Sequence, residues 1–183
     1  MLVNLRALFG VVLDIILLRR GPEQLPASPT LLVAAVVLYV AGFSFFVLVL
    51  PLTLPAALIQ SALGAAVMLL WFRIALAIAG KPERFLQTLT AIFAVNVMFL
   101  PILVPLLGAV LPYLEKADPS VPIPAALVIV TMIVGIWGLL VEVHIVRAAF
   151  ECPWVGGFLL VVGEIFASVF VASLLFGGAH AGG

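Results

Sequence analysis

The chain has 183 residues, of which 66% are hydrophobic and only 9% charged, and its mean hydropathy is +1.43. Soluble domains are about half apolar and about a quarter charged, so this composition excludes a water-soluble fold and points to one built against lipid. Eight Lys and Arg balance eight Asp and Glu; zero net charge removes any general attraction to nucleic acid, and no nucleic-acid partner is expected.

Residues 1–29 are expected to form an amphipathic helix in the cytoplasmic interface, followed by a linker. Residues 2–18 are apolar enough to imitate a signal peptide, but Asp14 interrupts the run and no small-x-small cleavage site follows. Asn4, Ala7, Gly10 and Asp14 fall on one narrow helical face, with Leu, Val and Ile around the rest. Arg19 and Arg20 then sit where headgroup phosphates would be. The alternative is a short or re-entrant sixth span. Leu25, Pro26, Ala27, Ser28 and Pro29 break the chain before the first long apolar run.

A helix needs about 20 apolar residues to cross a hydrocarbon core of about 30 Å. Five stretches qualify: 30–50, 53–79, 85–111, 124–146 and 155–176. The expected fold is therefore all-α, a polytopic bundle of five spans over residues 30–176, with 177–183 as a short outer tail. Pro51 and Pro55 bracket a tight hairpin, and Gly80 to Arg84 form a polar connector. Residues 112–123 read as the longest loop, and 147–154 as the last connector. With a cytoplasmic N-terminus, Arg6, Arg19, Arg20, Arg73, Lys81, Arg84 and Arg147 lie inside or lean inward, and only Lys116 is outside. This bias predicts N-inside and C-outside, in a bacterial inner membrane.

Ionisable side chains at membrane depth cost about 2.5–3.5 kcal/mol on insertion scales, which makes them candidate functional residues. Glu164 lies nine residues into the fifth stretch, with Gly157, Ala167 and Ser168 on its face. Glu142 has Gly135 and Gly138 on its face, and Arg73 has Ala66, Ala77 and Gly80. Such small residues let helices approach closely, so all three are expected to face other helices in the cytoplasmic half. Arg73, Glu142 and Glu164 are thus a candidate polar cluster; the plain alternative is an Arg–Glu pair that pins two helices, or snorkelling to the interface.

Asn96 near the midplane, followed by Pro101 and Pro105, forms a candidate helix-break site, since proline frees a backbone carbonyl one turn earlier. The plain alternative is a kink packed in lipid. Trp137, His144 and Arg147 share one helix face and read as a membrane-edge aromatic and basic surface. Glu142 and His144 are two residues apart, about 200° around a helix, so they form no ligand pair or acid–base dyad. The single cysteine, Cys152, can close neither an internal disulfide nor a zinc cluster. No catalytic, cofactor-binding or metal-ligating set is expected: H-E-x-x-H, G-x-S-x-G and Walker A patterns are absent.

The apolar N-terminal segment, the five closely spaced spans, the connector Ala79-Gly80-Lys81-Pro82-Glu83-Arg84-Phe85-Leu86 leading into a proline-bearing span, and Ile136-Trp137 with Val143-His144 together resemble the Yip (Ypt-interacting protein) family, in its short bacterial form. The resemblance implies a five-span bundle with a cytoplasmic N-terminus, and it transfers no catalytic residue. Eukaryotic members work with Rab-type GTPases through a longer soluble N-terminal region. Only 29 residues precede the first span here, which argues against a Rab-type GTPase as a partner. The first expectation for function is a non-enzymatic integral membrane protein that organises the bilayer or partner proteins, as a homo-oligomer or with a membrane-protein partner. The second is a small carrier or lipid-handling channel that uses the Arg73, Glu142 and Glu164 cluster.

Overall fold

A computed structural model of the chain describes residues 5–47, 53–115 and 123–176, giving only the backbone for 46, 47, 114 and 115. Backbone groups in lipid have no water to bond, so long apolar runs become helices. The described residues form six: α1 (Leu5–Ile16), α2 (Pro29–Val47), α3 (Leu54–Ile78), α4 (Phe85–Glu115), α5 (Ala125–Phe150) and α6 (Trp154–Phe176). Short 3₁₀ turns, Pro22–Gln24 and Pro82–Arg84, precede α2 and α4. The described residues of the chain form an all-helical, multi-pass membrane bundle: α3 to α6 are each long and apolar enough to cross a bilayer, and a shorter apolar helix, Pro29–Phe45, accompanies them. The rest of the expected first span, beyond α2, lies outside the described residues. So do Asn4, Pro51, Lys116 and the tail 177–183.

The helix ends follow local chemistry. The Ser28 hydroxyl accepts a hydrogen bond from the Leu31 N–H at 3.3 Å, at the start of α2. Pro55 sits in the first turn of α3, where its missing N–H costs nothing. Gly80 stops the same helix with a φ of +70°, and the Lys81 N–H reaches back to the Leu76 carbonyl at 2.9 Å.

Two expected boundaries are corrected. The loop placed at 112–123 begins later, because α4 stays helical through Pro112 to Glu115. The connector placed at 147–154 shrinks to Glu151–Pro153, because α5 gains another turn and keeps Arg147 helical. It ends instead at Glu151, whose left-handed backbone (φ 52°) turns the chain toward α6.

The helices close into a ring. α2 packs between α3 and α4, α4 meets α5, α5 meets α6, and α6 returns to α3. The α1 helix and the Pro22–Gln24 turn both pack on α4 and α5, and α1 shares a groove with Ala94, Val97 and Met98 of α4. The Gln87 amide donates to the Glu23 and Leu25 carbonyls at 3.2 and 2.8 Å. At about 18 Å, the 12 residues of α1 fall short of the hydrocarbon core. Phe72, Ile92, Phe93, Val141 and Val161 fill the ring interior with no exposed surface, while Val33, Ile59, Ile133 and Phe166 face outward.

Two glycines set the spacing of α6. A Cβ on Gly157 would stand 3.0 Å from the Val143 carbonyl oxygen and 3.2 Å from the Arg147 nitrogen, so α6 touches the α5 backbone there. Gly163 lies under the Trp71 ring, 2.7 Å from where its Cβ would be, and the Trp71 indole donates to the Leu160 carbonyl at 3.1 Å.

The two hairpins α3–α4 and α5–α6 are tied at one end. The Lys81 ammonium donates to the Phe150 carbonyl at 2.9 Å and to Glu151 Oε2 at 2.7 Å. The Arg84 guanidinium donates to the Ala148 and Ala149 carbonyls at 3.0 and 3.2 Å, and also to Glu151 Oε1. The last carbonyls of α5, which have no partner within their own helix, are thus bonded by cations from the opposite hairpin.

Hydrogen bonds from Lys81 and Arg84 hold the Glu151 carboxyl below its ordinary value of 4.5. A carboxyl whose pKa is lower in the folded state stabilises the fold above its unfolded value, and loses that contribution as pH falls through the lowered one. Melting of the wild type and E151Q in detergent should therefore differ by a constant amount at neutral pH, and the gap should close on acidification below 4.5. A gap that persists in acid would contradict this role. G157A should destabilise by about 1–3 kcal/mol through overpacking. G108A, with nothing within 4 Å of its new methyl, should be neutral or slightly stabilising in the same unfolding assay.

Candidate intramembrane carboxyl site

The tie between the hairpins sets a common zero of depth for the helices. Counting from that end, Tyr39 lies ten residues from Pro29, Asn96 eleven from Phe85, Glu142 eight from Phe150 and Glu164 ten from Trp154. All four therefore lie about 12–17 Å up the bundle at about 1.5 Å per residue. Four helices contribute one polar side chain each to a single layer.

Glu164 is buried in the ring, 4% exposed, and one carboxyl oxygen accepts a hydrogen bond from the Ser168 hydroxyl at 2.7 Å, one turn along α6. Glu142 lies within electrostatic reach of Glu164. Its Oε1 is shut off from the surroundings and has no hydrogen-bond partner, a condition shared among the described residues with Ser61 Oγ and Thr90 Oγ1. Glu142 and Asn96 line a cavity of about 240 Å³ between α4 and α5, walled mostly by apolar side chains such as Val95, Phe99, Val134 and Leu139. The Tyr39 ring is 8% exposed, packs edge-on to Phe93 at 5.0 Å, and lies within reach of both carboxyls.

The structure brings together two members of the expected cluster and leaves out the third. Arg73 is exposed, and its guanidinium lies over the Phe85 ring, 5.3 Å from the centroid. Among the described residues, ion pairs within 4.0 Å join Asp14 to Arg20 and Glu151 to Lys81 and Arg84; none joins Arg73 to a carboxyl. The physical reason is rotation. Arg73 follows Phe72 by about 100° on α3, and Phe72 is the residue that points into the ring.

The helix-break site is also corrected. α4 is continuous through Pro101 and Pro105, both of which are exposed on its outer surface. A missing N–H on the outside of a helix removes one bond without opening the backbone toward the interior. Asn96 is turned to its own helix, its amide donating to the Ile92 carbonyl at 3.0 Å. It joins the site as a cavity wall.

The expected face of Trp137, His144 and Arg147 gains a member that the sequence reading missed. The Arg147 guanidinium lies over the Trp154 ring at 4.8 Å, and the His144 ring is 6.1 Å from the same indole. His144 Nε2 is 3.0 Å from the Arg20 carbonyl oxygen, which joins α5 to the N-terminal segment. Trp137 is exposed on the outer surface. Arg19 is exposed, while Arg20 is paired with Asp14 at 3.1 Å. Tyr39 was also missed. An isolated tyrosine in an apolar run carries no sequence signal, although its distance from Pro29 is that of Glu164 from Trp154. Among the described residues no group of three His, Cys, Asp or Glu side chains is placed to hold a metal.

With Arg73 on Phe85, R73Q and E164Q should act independently. A double-mutant cycle on unfolding free energy should return a coupling within about 0.5 kcal/mol of zero; a clearly larger value would restore the Arg73–Glu164 pair. E164L, which removes the acceptor of the Ser168 hydroxyl, should depart further from wild type than E164Q.

Comparison with known proteins supplies no family: no family model, curated protein or solved structure matches the chain.

Proposed function

We propose that the chain is a non-enzymatic integral membrane protein that acts as a small carrier, with Glu142 and Glu164 as its binding site for a proton or a small cation. One observation carries this reading: Glu142, which keeps one carboxyl oxygen without a hydrogen-bond partner among the described residues, lines a cavity and lies within electrostatic reach of the buried Glu164 carboxyl. A carboxylate held away from water is costly, so taking up a proton or a cation there is favoured. A purely structural carboxylate would be paired within the protein, since a buried charge left alone is costly.

The topology belongs to the same proposal. It comprises five spans, α1 in the cytoplasmic interface, the N-terminus inside and the C-terminus outside, in a bacterial inner membrane, as the Yip resemblance implies. The gathering of Arg20, Lys81, Arg84 and Arg147 at one end of the bundle supports it. A second reading, a membrane organiser acting through its helix faces as a homo-oligomer or with a membrane partner, draws on the broad apolar outer surface of α5 and α6. Lipid covers such a surface equally well, and the organiser reading gives Glu142 no task.

The test uses the full chain in proteoliposomes that hold a pH-sensitive dye and are acid inside. Adding sodium, potassium or benzyltrimethylammonium outside should release internal protons in exchange for at least one of them. E142Q should abolish the exchange while its melting profile shows an intact fold. Absence of exchange with every cation, or equal exchange by wild type and E142Q, would overturn the carrier reading. Crosslinking to a stoichiometric partner, together with absent exchange, would favour the organiser.

A further inference from the structure

We propose that the cavity between α4 and α5 takes a small organic monocation with an apolar body, such as a hydrophobic amine or quaternary ammonium, its charge on Glu142 and its hydrocarbon against the helix walls. The inference rests on the carrier reading of the same carboxyl and names its substrate class.

Among the described residues no cation forms an ion pair with Glu142. Arg73 lies over the Phe85 ring, Arg147 lies over the Trp154 ring, Lys81 and Arg84 bond Glu151 and the last carbonyls of α5, and Arg6 and Arg19 are exposed. His144 faces the Arg20 carbonyl, nearly opposite Glu142 on α5. The Glu142 Oε1 thus has no donor among the described residues, and a buried carboxylate is best satisfied by a paired cation.

The lining decides what kind of cation. Among the lining residues only Glu142 and Asn96 have polar side chains, and the others are hydrocarbon or glycine. Hard metal ions take several oxygen ligands in place of their water shell; two side chains cannot supply them. An alkylammonium ion holds water less tightly, and its carbon body gains from the apolar wall formed by Val95, Phe99, Leu103, Val134 and Leu139. At about 240 Å³ the cavity lies below the range of about 300–1,000 Å³ usual for drug-sized ligands, which limits the cation to a small one.

The rim decides the route. Gly135 and Ile165, both lining residues, are also exposed on the outer surface well inside their helices, with Ile165 44% exposed. In a bilayer that rim meets lipid. A cation with an apolar body partitions there and can enter sideways, whereas an inorganic ion cannot.

The experiment measures equilibrium binding of radiolabelled benzyltrimethylammonium to the full chain in mild detergent, alongside carbodiimide labelling of Glu142 located by peptide mass. The variants are E142Q, which removes the charge, and G138L, which keeps the charge and fills the cavity from a site where an added methyl meets nothing within 4 Å. Wild type should bind saturably, and each variant should bind about tenfold more weakly or worse. The bound cation should protect Glu142 from the carbodiimide, and a large excess of sodium should not displace it. Either variant suffices if the other fails to fold. Binding unaffected by both changes would overturn the proposal. Protection by sodium alone would overturn the organic-cation class and leave the carrier reading standing; no protection by any cation would remove both.

Discussion

Everything about the position of the polar residues depends on the tie between the α3–α4 turn and the end of α5. The terminal carbonyls of a helix lack partners in their own helix, and near a membrane their exposure is costly. Here Lys81 and Arg84 bond three of those carbonyls and are themselves held by Glu151. The contact does more than cap one helix. It fixes the second hairpin against the first along the bundle axis, and the Gln87 bonds and the His144 contact fix the N-terminal segment to the same level. With the zero of depth shared, side chains eight to eleven residues up four helices arrive in one layer.

Rotation of each helix about its own axis is governed by packing. Gly157 lets α6 lie on the backbone of α5, and Gly163 leaves room for the Trp71 ring. Together these place Glu164 inward, with Ser168 one turn above it. Phe72 occupies the matching inward direction on α3, so Arg73 is carried outward to an aromatic ring. A guanidinium over a ring keeps a favourable electrostatic contact while its charged end can reach toward the headgroups. Among the described residues the acidic pair thus has no paired cation, in surroundings that reward one.

Most of the helical architecture was legible in the sequence because it follows from the bilayer itself. A run of about 20 apolar residues in lipid has few alternatives to a helix, and Gly80, Pro82 and Pro153 mark breaks that the structure keeps. Prolines were weaker guides. Pro101, Pro105 and Pro112 all lie inside α4, because a helix supported by its neighbours tolerates the loss of single outward-facing bonds. The extra turn of α5 was equally hidden: Arg147 reads as a loop residue until Trp154 is seen beneath it.

The amino-acid sequence by itself determined the membrane class and most of the helices, since composition and apolar run length need no partner. It marked Glu142 and Glu164 as costly groups that require a reason. Only the tertiary structure decided which of these groups meet. Facing direction depends on how neighbouring helices turn, and a rotation of about 100°, one residue's worth, separates Arg73 from the interior that Phe72 occupies. The same rotations brought Tyr39 into the layer, set Asn96 and Glu142 on the cavity wall, and left one Glu142 oxygen without a partner among the described residues.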